Sequence, residues 1–292
     1  MNSAEQLFIQ VVETGSFKKV AAQRNLDASS VSRKVASLED RLQVKLLRRS
    51  TRRTATTELG QRYYERLRRL LDEQQALEEE ITGGVHQLAG TLRIAAPVDF
   101  GTRFVVPVVQ ALQKSAPALA VELLLGSPFE NLLESNLDVA VRVGELPDSG
   151  LIAKKLGDNG RVLVASPKYT DQHGLPATTD ELAAHNFVLY SASQGRSDIE
   201  FADGGRYPHS QIISNITVNS VTAIRQLVLD GVGIHLGPEW VFADDLAAGR
   251  LIRLLPDRPL RSFPINAVYP ARAYLPFKVK EFNRLLMKHL AV

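Results

Sequence analysis

The chain has 292 residues, 45% of them hydrophobic and 23% charged, with no cysteine. This describes a globular protein with room for two or three packed units, and it excludes disulfide scaffolds, thiolate metal sites and cysteine nucleophiles. The net charge of +3 is unevenly spread. Residues 1–70 hold 15 Lys and Arg against 7 Asp and Glu, residues 71–90 none against 5, and residues 91–292 hold 20 of each. A basic module on a neutral body points to a polyanion partner for the first part only. The opening MNSAEQLFIQVVE carries no basic leader before an apolar stretch, and no run of about 18 apolar residues occurs, so the expected compartment is the cytoplasm.

In chain order, Ala4–Glu13 reads as a helix with Leu7, Phe8, Val11 and Val12 on one apolar face, ended by Gly15. Ser16 caps a second short helix, FKKVAAQRN, with Phe17, Val20 and Ala21 inward, and Asn25-Leu26 makes the turn. Asp27 is placed to cap a third helix running to about Arg41, with Val31, Val35, Leu38 and Leu42 buried. A short helix, a tight turn and a longer helix have the proportions of a helix-turn-helix. The outer face of the third helix offers Ser29, Ser30, Ser32, Arg33 and Lys34, with no acid until Glu39. Short hydroxyls permit close approach to a DNA backbone, arginine can pair with guanine, and helix N-terminal amides favour phosphate. The same residues would also suit a solvated face. Next, KLLRRSTRRTATTELG places Lys45, Arg48, Arg49, Arg52 and Arg53 around a Ser/Thr-rich stretch that suits a two-stranded turn, a wing reaching a minor groove or phosphates.

Gly15–Gly60 closely resembles the winged-helix signature of the LysR-type transcriptional regulators. Gly15-Ser16-Phe17, Ala21, Leu26, Val31-Ser32-Arg33, Leu38-Glu39, Leu42, Leu46, Arg49, Arg52, Thr57 and Gly60 fall at family positions. The resemblance implies that Ser29, Ser32 and Arg33 contact DNA from the recognition helix and that Arg52 or Arg53 enters from the wing. Departures are Arg24 for Leu, Asp27 for Ser, Ala28 for a polar residue, Gln43 for Gly, Leu47 for Phe and Thr56 for Leu. Of these, Ala28 removes one expected base contact.

From Glu58 to Ile81, Leu59, Tyr63, Leu67, Leu70, Gln74, Leu77 and Ile81 recur at steps of three or four, a coiled-coil seam. A lone helix of this kind is marginal in water, so it packs either on a second copy, giving a dimer, or on the chain's own C-terminal body. Gly83-Gly84 and Gly90 mark a linker. Beyond it, short strands (TLRIAAP, ALAVELLLG, DVAVRVG, LIAKKLG, RVLVASP, HNFVLYS, ISNITVNS, GVGIHLGP, FPINAVYP) alternate with helices near 101–115, 128–136, 221–230, 239–248 and 276–290. That rhythm predicts an α/β sandwich with mostly parallel strands.

This half is similar to the LysR-family effector domain, which has two lobes like a periplasmic binding protein. The resemblance lies in VNSVTAIRQLVLDGVGIHLGPEW, DVAVRVGELPDSGLIAKKL and VLVASPKYTDQHGLP. It implies three parts: a winged helix-turn-helix at 1–60, a linker and dimerisation helix at 58–87, and an effector-binding domain at 91–292. Lobe one would take 91–163 and 265–292, and lobe two 164–264. The cleft candidates are then Pro97, Val98, Asp99 and Phe100, Ser127 and Pro128, Arg142 and Gly144, Asn219, Ser220 and Val221, and His235 to Pro238. Helix N-termini near Phe100 and Ser220 would favour a carboxylate or similar anion. Asp99 would repel one, or serve only as a helix cap; His235 is either a cleft residue or a histidine satisfied by a carbonyl. No glycine-rich phosphate loop, GxSxG or HExxH occurs, and the six histidines lie apart, so neither catalysis nor a metal or cofactor is expected. The resemblance implies double-stranded DNA, a small-molecule effector and a homodimer or homotetramer, and leaves room for RNA polymerase as a partner. The competing reading is an α/β ligand-binding protein or enzyme whose basic domain serves oligomerisation alone.

Overall fold

The computed structural model describes residues 3–49, 54–81, 88, 90–126, 137–146, 151–190, 197–270 and 275–291. Its first helix, α1 (Ala4–Thr14), starts from a capping box in which the Ser3 hydroxyl accepts from the Gln6 amide and the Gln6 side chain accepts from the Ser3 amide. It ends at Gly15, whose φ of 64° is left-handed. Helix α2 (Phe17–Arg24) is capped by Ser16 and closed by Asn25 in the same conformation, and α3 (Ala28–Leu42) follows. Leu7, Phe8, Val11, Val20, Ala21, Val31, Val35 and Leu38 form one core with Leu46, Leu47, Tyr64 and Leu67.

Asp27 occupies the N-cap position of α3, but its side chain makes no capping bond; only its carbonyl is used, by the Ser30 and Val31 amides. At the other end Gln43 sits at φ 55°, where glycine would carry no penalty. Its side chain offsets part of that strain by donating to the Asp40 carbonyl at 2.7 Å. Strands β1 (Leu47–Arg49) and β2 (Thr54–Thr56) then pair antiparallel, with Leu47 opposite Thr56.

Helix α4 (Glu58–Ile81) begins against the base of this hairpin. The Thr57 hydroxyl donates to the Lys45 carbonyl and accepts from the Gly60 amide. A Cβ on Gly60 would lie 1.9 Å from the Leu46 carbonyl oxygen, so only glycine permits this approach. The expected seam divides. Leu67, with Tyr64 beside it, is buried in the helix-turn-helix core, and Tyr63 packs its ring 5.7 Å from Phe8. Leu59 and Leu70 stay 52% and 62% exposed. The covered part therefore lies on the helix-turn-helix, which neither alternative read from the sequence named, and Leu59 and Leu70 are bare.

The described residues form two compact units, one running to the end of α4 and also holding residues 275–277, the other holding the rest. In the second unit, β3 (Gly90–Ala96) leads into a helical segment of three parts. These are α5 (Val98–Phe100), a π-helical turn at Gly101–Val105, and α6 (Val106–Ser115). A Cβ on Gly101 would meet the Leu125 side chain at 2.3 Å and Ala96 at 3.1 Å, so any larger residue there has to push the Leu125 side chain aside. Strands β4 (Leu119–Leu125), β5 (Val139–Val143) and β6 (Leu151–Asn159) complete the outward path.

The next strand, β7 (Arg161–Ala165), belongs to a different sheet. It is followed by α7 (Pro167–His173), β8 (Asn186–Leu189), the short pair β9 (Ile199–Glu200) and β10 (Arg206–Tyr207), and β11 (Ile213–Thr217). Then come α8 (Val221–Leu229), β12 (His235–Pro238), α9 (Glu239–Ala247) and β13 (Ile252–Arg253). The chain returns through β14 (Phe263–Pro270) and ends in α10 (Phe277–Leu290).

The lobe-one sheet has the order β4-β3-β5-β14-β6, and the second lobe carries β12-β7-β13 and β11-β8. The change of sheet falls between Asn159 and Arg161, a few residues before the expected boundary at 163/164, and the return comes at Phe263 rather than 265. The expectation of mostly parallel strands needs correction. β3 is parallel to β4 and β5, but β14 runs antiparallel to β5 and β6, and β12 and β13 run antiparallel to β7. The reason is the double crossing: a strand returning from lobe two enters the lobe-one sheet from the opposite end. The helix expected at 128–136 lies outside the described residues.

Candidate DNA interface and effector cleft

On α3, Val31, Val35 and Leu38 bury one side, which turns Ser29, Arg33 and Lys34 outward and leaves Ser30 and Ser32 half-buried. The Arg33 guanidinium donates to the Ser30 hydroxyl at 3.3 Å, so the two share one edge of the helix. Glu39, the first acid of the helix after these residues, does not join that face. Its side chain is buried, accepting from the Leu46 and Leu47 amides at 2.9 and 3.0 Å, with the Lys45 ammonium 3.4 Å away. The first two turns therefore carry hydroxyls and two basic side chains, the groups that phosphates and base edges call for. Arg48 lies exposed on β1. Arg49 is the last described residue of that strand, and Arg52 and Arg53 lie outside the described residues.

In the second unit the cleft candidates separate into groups. Asp99, at the start of α5, reaches across to lobe two. One carboxylate oxygen accepts from the Val221 amide at 3.1 Å and the other from the Thr222 hydroxyl at 2.5 Å. Ser220 caps the same helix, its hydroxyl accepting from the Ala223 amide. Asp99, Ser220 and Val221 are thus brought together at the head of α8, with Asn219 exposed just before it and Val98 half exposed on the other side. Arg142 is buried in β5 opposite Asn266, and Phe100 is buried against Phe104. Ser127 and Pro128 lie outside the described residues.

Two family models match. Residues 4–61 match the bacterial regulatory helix-turn-helix protein of the lysR family, and residues 86–291 the LysR substrate binding domain. The chain belongs to the LysR family of transcriptional regulators. It is 34% identical over 292 residues to the HTH-type transcriptional regulator CrgA of Neisseria meningitidis serogroup B, covering 99% of this chain and 97% of that one. It is 35% identical over 281 residues to the HTH-type transcriptional activator AaeR of Escherichia coli, with 94% and 89% covered. Among solved structures, that of CrgA superimposes with a TM-score of 0.61 at 33% identity and full coverage of both chains. Full-length AphB from Vibrio cholerae gives 0.60 at 28%, with 98% of each covered.

Within this LysR-family regulator, His235 does not take the cleft position expected of it. It is fully buried, its Nδ1–H donates to the Val188 carbonyl at 2.7 Å, and its ring lies 5.6 Å from Phe242. β12 is packed between β7 and the start of β8, which encloses every side chain on its inner face. Burial, with the nearby Arg161 charge added, outweighs the carbonyl hydrogen bond and pushes the imidazole down to about 4. The unfolded chain takes up this proton near pH 6.5 and the folded chain only near 4. The contribution of His235 is therefore fully present above about pH 6.5 and lost as pH falls toward 4, by about 3 kcal/mol in all. Replacing His235 with Asn should flatten the pH dependence of the urea midpoint in that window; an unchanged slope would reject the assignment.

Four residues of the cleft were not singled out by sequence reasoning. Thr222 supplies a donor to Asp99, and Tyr190 stands close enough that burial first, and then the Asp99 charge, raises its phenol pKa. Trp240, on α9, meets Phe104 at 5.2 Å and Phe100 at 6.5 Å between ring centroids, and its indole N–H donates to Asn159 at 3.0 Å. Phe104 completes that contact from lobe one. A lone tryptophan two residues after Gly237-Pro238 was the available signal, since nothing else in the chain is as large.

Proposed function

We propose that the α3 face, with the wing, reads an interrupted palindromic promoter site, and that a small molecule held between the two lobes biases the placement of paired DNA-binding heads. The observation that carries this is the α3 face of outward Ser29, Arg33 and Lys34 with half-buried Ser30 and Ser32 beside them, and with the next acid of the helix, Glu39, folded inward. Arg49, Arg52 and Arg53 extend the basic surface on the wing. Pairing through the bare Leu59 and Leu70 positions of α4 gives a homodimer, with a homotetramer as the further assembly, and would set two heads at a half-site spacing.

Val98, Asp99, Phe100, Ser127, Arg142, Asn219, Ser220 and Val221 are the proposed cleft lining. His235 enters this set only as a buried support. Ligand and DNA then act on each other through one coupling free energy, so DNA must change effector affinity by the same factor. RNA polymerase is a further proposed partner, and the proposed compartment is the cytoplasm. No helix among the described residues is long and apolar enough to cross a membrane. Relatives named as transcriptional regulators favour a binding role over catalysis.

The test is equilibrium binding to DNA upstream of the protein's own gene at several salt concentrations, against an unrelated duplex of equal length. A preference of about a thousandfold with a steep salt slope is expected. Arg33→Ala should weaken specific binding by about 10- to 100-fold while leaving the thermal midpoint unchanged. Equal binding by wild type and variant would overturn the assignment of α3.

A further inference from the structure

Asp99 stands in lobe one, and both of its recorded acceptor contacts are with lobe two, at the first turn of α8. The N-terminus of a nine-residue helix offers unpaired amides and a positive dipole end, and an anion is its natural complement. Here the anion is part of the chain. Ser220 already accepts from the third residue of the helix, Asp99 from the first, and Thr222 turns its hydroxyl to the same carboxylate.

We propose that Asp99 is a built-in anion for the head of α8: it ties lobe two to lobe one, and it makes the cleft select an uncharged or cationic effector bearing N–H or O–H donors over a carboxylate. An incoming carboxylate would have to displace Asp99 from both donors or lie beside its negative charge, and like charges in one site oppose each other strongly. A donor-bearing effector instead meets an acceptor already held in place. Tyr190, on the lobe-two side, is half-buried within the field of the same carboxylate, so the surroundings of Asp99 are only partly wet. The inference rests on the regulator reading only in calling the cleft an effector site.

The single tryptophan makes the tether measurable, because Trp240 of lobe two touches Phe100 and Phe104 of lobe one. Lobe separation should uncover it and shift its emission to the red. The full chain and Asp99→Ala are titrated with sodium acetate against sodium chloride at equal ionic strength, following Trp240 emission and the thermal midpoint. The variant should emit to the red of wild type and melt lower. Acetate should reverse both changes, with an affinity at least about tenfold above any response of the wild type, and acetamide should not.

An Asp99→Ala spectrum identical to wild type, or an equal acetate response from both proteins, overturns the proposal. Should Asp99→Ala fail to fold, Thr222→Val carries the test: it removes one donor and leaves the Ser220 cap. The expected result is a red shift that acetate does not reverse, and unchanged emission overturns the proposal. No DNA enters this titration, so its failure leaves the Arg33→Ala experiment standing. Failure of the DNA experiment likewise leaves the acetate result standing.

Discussion

Glu39→Ala is expected to destabilise the DNA-binding unit by about 2–5 kcal/mol and to abolish tight DNA binding with it. The Glu39 side chain is 1% exposed and is the recorded acceptor for the amides of Leu46 and Leu47, both buried residues. Each stranded backbone donor costs about 1–3 kcal/mol, and a backbone amide cannot rotate out to find water. Those two amides open the path into β1, so the wing loses its anchor to the recognition helix in the same step. Both amides donate to the same carboxylate oxygen, so Glu39→Gln keeps their acceptor and should cost well under the alanine variant, losing mainly the charge beside Lys45.

Burial pushes the Glu39 carboxyl up, but the Leu47 and Leu46 amides and the Lys45 ammonium outweigh it and hold its pKa below the ordinary carboxylate value. Its contribution is therefore complete above the ordinary carboxylate range and is lost as pH falls through it. Urea unfolding at pH 7 and at pH 4 measures both effects. A loss under about 1 kcal/mol for the alanine variant, the ordinary size for a surface substitution or less, would refute the anchoring role.

Asp245→Ala is expected to cost the second unit about 2–3 kcal/mol. Asp245 is fully buried on α9 and accepts from Arg225 of α8 at 2.5 and 2.8 Å and from Arg250 at 2.7 Å, fastening two helices and the turn before β13. Burial raises its pKa, and the two guanidiniums more than reverse that. Removing one member of a fully buried pair costs about 3–5 kcal/mol because a charge is stranded. The cost is smaller here, since Arg225 and Arg250 are 33% and 53% exposed and can turn to water. This comparison is why Glu39, whose partners are fixed amides, ranks first. Differential scanning calorimetry of Asp245→Ala against the exposed neighbour Asp244→Ala checks the expectation; equal midpoints would reject it.

The helix-turn-helix was legible residue by residue because its signals are local. Ser16 and Asn25 bound α2, glycine at 15 ends α1, and the spacing of Val31, Val35 and Leu38 determines which side of α3 faces solvent. A capped helix with a 3.6-residue apolar stripe has only one way to turn. The α4 seam was legible as a period but not as a choice of partner. Leu67 and Leu70 read alike in sequence, yet one is buried and the other bare, because the domain beneath covers only part of the helix.

The remainder depended on residues far apart in the chain. Strand direction followed from a chain that leaves lobe one at Asn159 and re-enters at Phe263, which no local pattern encodes. His235 and Asp99 were each ambiguous, and the structure decided them oppositely. Strand pairing encloses the histidine and gives it the Val188 carbonyl, whereas Asp99 reaches a helix that begins 122 residues later. The sequence by itself determined the family, the solvent side of α3 and the two-part plan, since these rest on short-range spacing and charge. Only the tertiary structure decided what Glu39, Asp99 and His235 do, because a polar group's role depends on which partner the fold brings within about 3 Å of it.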